Sequence, residues 1–355
     1  FWCVTSRGAW SAVGASAEQE AARFTPKQDK SAVKAGLMWQ TVCRESAVYA
    51  LASEITTFVP VHDNVELTRV RVTNTAQEPQ TVRCVAAIPI FGRSADNIRD
   101  HRHVTSLLHR IRVTERGVLV KPTMSFDEKG HRANDMTYFV ASGDAPETFY
   151  PTVEGFIGEG GSLIHPRAVY EDFPGMPAGG EIGGREAMGG LAFPPKTLQP
   201  GEHIEYIVLL GLSDKGEDIE RLIDQYGRPE QFQQALDDTA AYWQKQVNIH
   251  FRSGSPDFDH WLRWVSFQPF LRRIYGCSFL PHHDYGRGGR GWRDLWQDCL
   301  SLLLMDPNGV RSMIVSNFGG VRIDGTNATI IGAGDGNFIA DRNGIARVWM
   351  DHAFW

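Results

Sequence analysis

The sequence predicts a multidomain chain that is β in its first part and α in its second. An antiparallel β-sandwich is expected over residues 1–212, a helical linker over 213–252, and helices packed on helices over 253–355. Two observations carry this prediction. Apolar and polar residues alternate with a period of two as far as Leu212, and the hydrophobic period becomes helical from Ser213 onward. The strand–helix alternation of nucleotide-binding domains does not occur.

The predicted strands are short segments separated by clusters of Gly, Pro and Asn, as in a large sandwich. In "VELTRVRVTNTAQEPQTVRCVAAIPIF" (65–91), apolar residues recur at every second position on both sides of the polar turn "TNTAQEPQ". The segment "HRIRVTERGVLVKP" (109–122) repeats this design around a Gly-containing turn, and "GEHIEYIVLLGL" (201–212) closes the region.

Residues 154–191 are rich in glycine and are predicted to form a long loop. Loops of this length inside a compact domain are usually functional or mobile. Two interpretations stay open: the segment contacts a ligand or a neighbouring subunit, or it is a mobile surface loop.

Helices are predicted from Ser213 onward. The first has Ser213 or Asp214 as its N-cap and Gly227 as its stop signal. Its apolar face consists of Ile219, Leu222, Ile223 and Tyr226. A second helix carries its apolar residues at Phe232, Leu236, Trp243 and Val247. From Pro256 a helix richer in aromatics follows, marked by Phe258, Trp261, Leu262 and Val265. "GVRSMIVSNFGGV" and "NGIARVWMDHAFW" are further helix candidates.

Composition indicates an ordinary globular protein, since 42% of the 355 residues are hydrophobic and 22% are charged. The net charge of −6 argues against a nucleic acid or an anionic membrane as partner. No run of about 18 apolar residues occurs, so no membrane span is predicted. Five scattered cysteines without a C-x-x-C motif indicate unpaired thiols in a reducing compartment. With no visible signal peptide, a cytoplasmic location is expected.

Both ends of the sequence look internal to a longer protein. The chain begins "FWCVTSRGAW" without Met, and it stops at "RVWMDHAFW" inside an apolar pattern without a helix-stop signal. We therefore expect it to be a piece of a longer chain.

Residues 286–307, "GRGGRGWRDLWQDCLSLLLMDP", place charges where a buried helix is predicted to begin. A helix starting near Arg293 puts Asp294, Asp298 and Ser301 on one face, because positions four apart stack. The adjoining apolar face consists of Leu295, Cys299, Leu302 and Leu303. With Trp296, Leu300, Leu304 and Met305 added, the helix is hydrophobic nearly all round and is predicted to be buried.

Two interpretations of these charges stay open. Asp294 in a first helical turn complements the helix dipole and pairs with Arg293. Alternatively, the glycines let the backbone approach a ligand, while Arg287, Arg290 and Arg293 present forked donors. Arginines and carboxylates together suit a polyhydroxylated ligand, because its hydroxyls need both donors and acceptors.

Two neighbouring segments carry further polar residues. His282, His283 and Asp284 form a metal-ligand candidate, but adjacent histidines point apart on regular backbone, which favours a loop beside a polar site and no metal. Asp351 and His352 lie among tryptophans. Aromatic rings beside acids fit a sugar site, and the alternative is a set of capping residues and core aromatics.

The order of parts and the segment "GRGWRDLWQD" (289–298) resemble the inverting oligosaccharide phosphorylases of glycoside hydrolase family 94, which include the cellobiose and chitobiose phosphorylases, and the related β-1,3-oligoglucan phosphorylases. "WMDHAFW" (349–355) is similar to the family's "DDHLW" segment, with Met350 in place of the first Asp. The resemblance implies that residues 253–355 form the first part of an (α/α)6 barrel and that the protein is a homodimer.

The positions that match the signature imply a site for the sugar whose bond is broken. In the family, an arginine of the Gly-rich segment and the Asp of the R-D pair hold that sugar. The Asp corresponds to Asp294 in this sequence. The arginine corresponds to Arg287 or Arg290, because both stand in the Gly-rich segment. The substrate-binding candidates are therefore Arg287, Arg290, Arg293, Asp294, Gln297, Asp298, Asp351 and His352.

The resemblance implies phosphorolysis of a β-glucan oligosaccharide or disaccharide by inorganic phosphate, with inversion to α-glucose 1-phosphate and no cofactor. One carboxylic acid suffices for this reaction, because phosphate is already an anionic nucleophile and needs no base. The family's general acid is an Asp expected beyond Trp355, so no catalytic residue is assigned to this chain. The chain alone is then expected to be inactive and to expose apolar surface.

Two other functions stay open. One is an inverting glycoside hydrolase on the same scaffold, in which water replaces phosphate and a second carboxylate acts as base. The other is a non-catalytic carbohydrate-binding protein.

Overall fold

Alternating residues build two antiparallel sheets in the first part of the chain. The computed structural model describes residues 1–91, 106–123, 136–171, 173–213, 218–275, 290–328, 330–331, 336 and 338–339. The chain divides into two compact units, 1–240 and 241–355. The strands of the first unit are β1 (Trp2–Thr5), β2 (Gly8–Ser11), β3 (Lys30–Gly36), β4 (Trp39–Ser46), β5 (Leu51–Phe58), β6 (Val65–Asn74), β7 (Gln80–Ile90), β8 (His109–Val113), β9 (Gly117–Pro122), β10 (Met136–Ser142), β11 (Thr148–Thr152), β12 (Glu181–Gly183), β13 (Ala187–Ala192), β14 (Lys196–Leu198) and β15 (His203–Ser213).

The two sheets pack face to face as a sandwich, which confirms the predicted architecture of this part. Among the described residues, one sheet has the order β12-β8-β9-β10-β15-β6-β5-β4-β3. The other has the order β11-β13-β7-β1-β2, with β14 paired to β7. The core between them takes alternate residues of each strand, such as Val70 and Val72 from β6 and Val82 and Cys84 from β7.

Five helices accompany the strands in the described part of the first unit, and the last of them continues into the second unit. They are α1 (Ala17–Ala21), α2 (Val153–Ile157), α3 (Arg167–Tyr170), α4 (Asp218–Tyr226) and α5 (Pro229–Gln246). The residues of β7 that point away from the sandwich core, such as Val85, pack with Phe156 of α2 and Val169 of α3. On the other sheet, Phe58 and Leu67 pack with α4 and with Phe232 of α5.

The predicted face of α4 is confirmed, because Ile219, Leu222, Ile223 and Tyr226 are all buried. The predicted N-cap at Ser213 is wrong. Ser213 is the last residue of β15, where it pairs with Met136, and the helix begins at Asp218. The alternative cap, Asp214, lies outside the described residues.

The turn after β6 carries the chain from one sheet to the other. Asn74 is fully buried there, and its side-chain amide donates to the carbonyls of Glu78 (2.9 Å) and Leu198 (3.0 Å). Its Oδ1 accepts from the backbone N–H of Ala76. These bonds satisfy backbone groups that a tight crossing otherwise buries without partners. The strand pattern of residues 65–91 is confirmed, and its two halves belong to opposite layers.

The prediction of one long loop over residues 154–191 is wrong. The segment contains α3, β12 and β13, and every residue of β13 is buried between β11 and β7. A Cβ at Gly189 would lie 2.6 Å from a ring carbon of Phe139 on the facing sheet. Part of the glycine content therefore reflects close packing rather than mobility.

Asp63, which lies between β5 and β6, connects the nine-stranded sheet to α4 by hydrogen bonds. Its carboxylate accepts from the Tyr226 hydroxyl (2.5 Å) and from Arg221 Nη2 (2.8 Å). Burial alone acts to raise the pKa of Asp63, but these two hydrogen bonds hold it below its ordinary value.

We expect Asp63→Asn to destabilise the first unit by about 1 kcal/mol near pH 6, because it removes the charge from both hydrogen bonds and Arg221 is half exposed. A depressed carboxylate pKa stabilises the fold above the unfolded pKa of about 3.9, and this contribution is lost as pH falls through the lower folded value. The wild-type advantage, measured by denaturant unfolding, should therefore shrink by pH 3. Asp224→Asn on the exposed face of α4 is the control. An advantage of equal size at both pH values would contradict the prediction.

The second unit consists of the end of α5, three further helices and three two-residue strands in its described part. These are α6 (Pro256–Tyr275), β16 (Arg290–Gly291), α7 (Trp292–Met305), α8 (Val310–Phe318), β17 (Ile330–Ile331) and β18 (Phe338–Ile339). The boundary between the units falls inside α5, within the predicted 213–252 linker. No helix in the described ranges is both long enough and apolar enough to cross a membrane.

The prediction that α7 is buried all round is wrong. Leu300, Leu303 and Leu304 are exposed, whereas Leu295, Cys299 and Leu302 are buried. The contacts of α7 with α6, α8 and β16 leave the leucine face uncovered. On α6, Phe258, Trp261 and Val265 of the predicted apolar face are exposed as well. This unit therefore presents a large apolar surface in its described part.

Candidate functional site

The arginine-rich approach to α7 ends in a strand. Arg290 and Gly291 form β16, which pairs antiparallel with Ile331 and Ile330 of β17. Gly291 is also the N-cap residue of α7, in extended conformation, and it provides no side-chain cap. The start of the helix is thus held by backbone pairing rather than by a capping side chain.

Aromatic packing holds the first turns of α7 in place. Trp292 and Trp296 meet edge to face with ring centroids 5.3 Å apart, and Trp296 packs in turn on Phe318 of α8. Gly320 lies directly against this cluster, because a Cβ there would lie 2.7 Å from the Trp292 ring. These contacts define which side of the helix turns toward solvent.

Asp294 and Arg293 lie on the solvent side of that first turn. The Asp294 side chain is 39% exposed, and its Oδ1 is 4.0 Å from Arg293 Nε. A carboxylate in the first turn is stabilised by the helix dipole, whereas an exposed contact between neighbours contributes little. Gln297 is also exposed, one turn after Arg293. Donor and acceptor groups therefore stand together on an exposed helix start.

Asp298, one turn after Asp294, is in a different environment. Its side chain is only 8% exposed, and both of its oxygens accept from Arg272 Nε of α6, at 2.9 and 2.7 Å. Arg272 Nη2 donates to Asp298 Oδ1 as well. Such a forked pair compensates the burial of the Asp298 carboxylate, while the Arg272 side chain stays 28% exposed. Asp298 therefore joins α7 to α6.

A second ion pair joins the last turn of α6 to Asp306, the C-cap residue of α7. Arg273 Nη1 donates to Asp306 Oδ2 at 2.8 Å, and Arg273 Nη2 donates to the Asp306 carbonyl. The hydrogen bond from Arg273 holds the pKa of Asp306 below its ordinary value. Arg272 and Arg273 are not among the functional residues predicted from the sequence. Their only signal was a pair of arginines in the last turns of an aromatic helix.

The structure describes half of the predicted site residues in full. It brings Arg293, Asp294, Gln297 and Asp298 together on α7, with Asp298 held inward by α6. For Arg290 it describes the backbone alone. Arg287, Asp351 and His352 lie outside the described residues, as do His282, His283 and Asp284. The described residues contain no group of three His, Cys, Asp or Glu able to hold a metal.

This arrangement is suited to binding neutral polar groups. The Asp294 carboxylate accepts hydrogen bonds, while the Arg293 and Gln297 side chains donate them. Sugar hydroxyls need both kinds of partner.

Comparison with known proteins places this fold in a family. The profile of the "Glycosyl hydrolase 94, supersandwich domain" matches residues 22–229. An N,N'-diacetylchitobiose phosphorylase from Vibrio proteolyticus is 25% identical over 266 residues, which are 73% of this chain and 31% of that protein. The chain thus spans about a third of the length of that relative. A bacterial glucoamylase solved with acarbose shares the fold with a TM-score of 0.51 and 10% identity, over 88% of this chain and 44% of that one. The match to this family covers more than half of the residues of the chain. The chain therefore belongs to the glycosyl hydrolase 94 family.

Proposed function

We propose that the protein is an inverting glycoside phosphorylase that cleaves β-linked glucooligosaccharides with inorganic phosphate and releases α-glucose 1-phosphate. The observation that carries this proposal is the start of α7, where the signature "WRDLWQD" places Asp294 and Arg293 on an exposed, firmly anchored helix turn. Membership of the family and the chitobiose phosphorylase relative support the same reaction class.

The proposed roles follow from the chemistry of each group. Asp294 accepts hydrogen bonds from the hydroxyls of the sugar whose bond is broken, and an arginine of the approach, Arg287 or Arg290, donates to the same sugar. Arg293 and Gln297 extend this donor set, and Asp298 positions the helix. Asp351 and His352 complete the proposed sugar site.

Phosphate is the second substrate in this proposal, and no cofactor takes part. Phosphate attacks the anomeric carbon from the face opposite the leaving oxygen, and a carboxylic acid outside the set assigned here protonates that oxygen. We further propose that residues 253–355 form the first part of an (α/α)6 barrel behind the 213–252 linker. The protein is proposed to be a cytoplasmic homodimer that binds neither nucleic acid nor membranes.

The reaction is tested by incubating the full-length gene product with β-1,3-glucooligosaccharides, β-1,4-glucooligosaccharides and N,N'-diacetylchitobiose, each with and without inorganic phosphate. We expect a sugar 1-phosphate with α configuration, detected by ³¹P and ¹H NMR, only when phosphate is present. The reactive substrate identifies the sugar and the linkage.

Two outcomes would contradict the proposal. Free sugar released without phosphate would make the protein a hydrolase. Binding of oligosaccharide without turnover under either condition would favour a carbohydrate-binding role.

A further inference from the structure

Two cysteines lie opposite each other in the core of the sandwich. Cys3 on β1 is the direct partner of Cys84 on β7 in the antiparallel register, and both are fully buried. Burial and a hydrogen bond with the Cys3 thiol raise the pKa of the Cys84 thiol. The two residues therefore face each other within the same core cluster.

The hydrogen-bonding pattern defines the type of this pair. The Cys84 carbonyl accepts from the backbone N–H of Phe193, at the end of β13, at a distance of 2.9 Å. In an antiparallel strand, the N–H and C=O groups of one residue point toward the same neighbouring strand. The backbone groups of Cys84 therefore point toward β13, away from β1.

The same conclusion follows from the other strand. The Ala12 N–H donates to the Phe1 carbonyl at 2.9 Å, so Phe1 and Ala12 form a hydrogen-bonded pair. Such pairs recur at every second residue, which makes Cys3 and Trp10 the next one and directs the backbone groups of Cys3 toward β2. Cys3 and Cys84 are thus a non-hydrogen-bonded pair, in which Cα atoms lie about 4.5 Å apart. Disulfides span Cα separations of roughly 4.4–6.8 Å.

The strand register places no other two described cysteines opposite each other. Cys43 on β4 lies opposite Ala32 and Glu54, and Cys299 of α7 contacts Met313. None of the four described cysteines is in a disulfide. The register thus selects one pairing among them.

We propose that Cys3 and Cys84 form an oxidative modification site, at which a disulfide oxidant converts the thiol pair into a bond that joins β1 to β7. With glutathione disulfide as oxidant, one cysteine thiolate attacks it and releases one glutathione, and the second cysteine attacks the mixed disulfide and releases the other. Two protein thiols lose two electrons and two protons, and one glutathione disulfide becomes two glutathiones. The buried thiols meet the oxidant before the sandwich closes during folding or when β1 opens.

The test is refolding of the full chain from denaturant in a glutathione redox buffer, followed by alkylation and non-reducing peptide mapping. We expect one dominant linked peptide pair, containing Cys3 and Cys84, which dithiothreitol removes. The oxidised protein should unfold at a temperature higher by about 5 °C or more, because the link closes a loop of some 80 residues.

Variants separate this site from general oxidation. Cys43→Ser should leave the linked pair in place, and Cys84→Ala should abolish it; the wild-type map decides the question even where Cys84→Ala fails to fold. Both thiols alkylated in the folded product, or disulfides spread over several pairs, would overturn the proposal. A lower unfolding temperature of the linked protein would overturn it too, because the native register would then not accommodate the bond.

Discussion

Asp294→Asn is expected to lower kcat/KM of the full-length gene product for phosphorolysis by on the order of 100-fold, with little change in stability. The substitution keeps the shape of the side chain but removes the negative charge and replaces one acceptor oxygen by a donor. If Asp294 binds sugar hydroxyls as proposed, the hydrogen bonds it accepts lose their charge and one of them is replaced by a donor–donor clash. The measurement is steady-state release of the sugar 1-phosphate.

The neighbouring helix offers a matched control for this effect. Asp257 is exposed in the first turn of α6, as Asp294 is partly exposed in the first turn of α7. Asp257→Asn should therefore reproduce any loss of helix-dipole stabilisation, about 0.3–1 kcal/mol, without the loss of activity. Equal activity of the Asp294→Asn protein and the wild type would remove Asp294 from the proposed sugar site.

Asp298→Asn is expected to have the opposite profile and to destabilise the second unit by about 1–3 kcal/mol, the cost of weakening hydrogen bonds between charged groups. It replaces the charged partner of Arg272, whose side chain is 28% exposed, by a neutral amide, so the charge-assisted hydrogen bonds between α6 and α7 weaken. The loss of stability is measured by chemical denaturation, with hydrogen exchange of the α7 amides as the probe of unfolding in the second unit. Asp294→Asn, one turn away on the same helix, is the control and should shift the transition by no more than about 1 kcal/mol.

The double variant Arg272→Met, Asp298→Leu distinguishes two contributions to the free energy of unfolding. One is the loss caused by removing a single partner of the ion pair, and the other is the stabilisation that the intact pair provides. Replacement of both partners by apolar side chains of similar size leaves no charge unpaired, so most of the lost stability should return. A double variant as unstable as Asp298→Asn would mean that α6 and α7 depend on the ion pair itself. An Asp298→Asn protein as stable as the wild type would contradict the structural role assigned to Asp298.

Asp294 and Asp298 thus have different expected roles, although the sequence pattern places both on the same helix face. Both fall on one predicted helix face, and the helix itself is confirmed over Trp292–Met305. Their difference in burial depends on Arg272, which lies 26 residues before Asp298 in the sequence. Helical spacing shows which residues share a face, but it does not show what packs against that face.

The same limit applies to the sandwich. A period of two indicates which side chains of a strand point the same way, and it identified the strands of residues 65–91, 109–122 and 201–212. It carries no information on the neighbouring strand, so the crossing at Asn74 and the position of β13 between β11 and β7 were not predictable. Cys3 and Cys84 are 81 positions apart, and only strand pairing makes them neighbours.

Local chemistry therefore accounts for the class of fold, the buried face of α4 and the signature at the start of α7, because periodicity, turn residues and motif spacing act within a few residues. The long-range contacts account for the rest: the partner of each strand, the inward position of Asp298, and the exposure of Leu300, Leu303 and Leu304. Burial is a property of the surfaces that meet in space, and a residue pattern along one element describes only one of those surfaces.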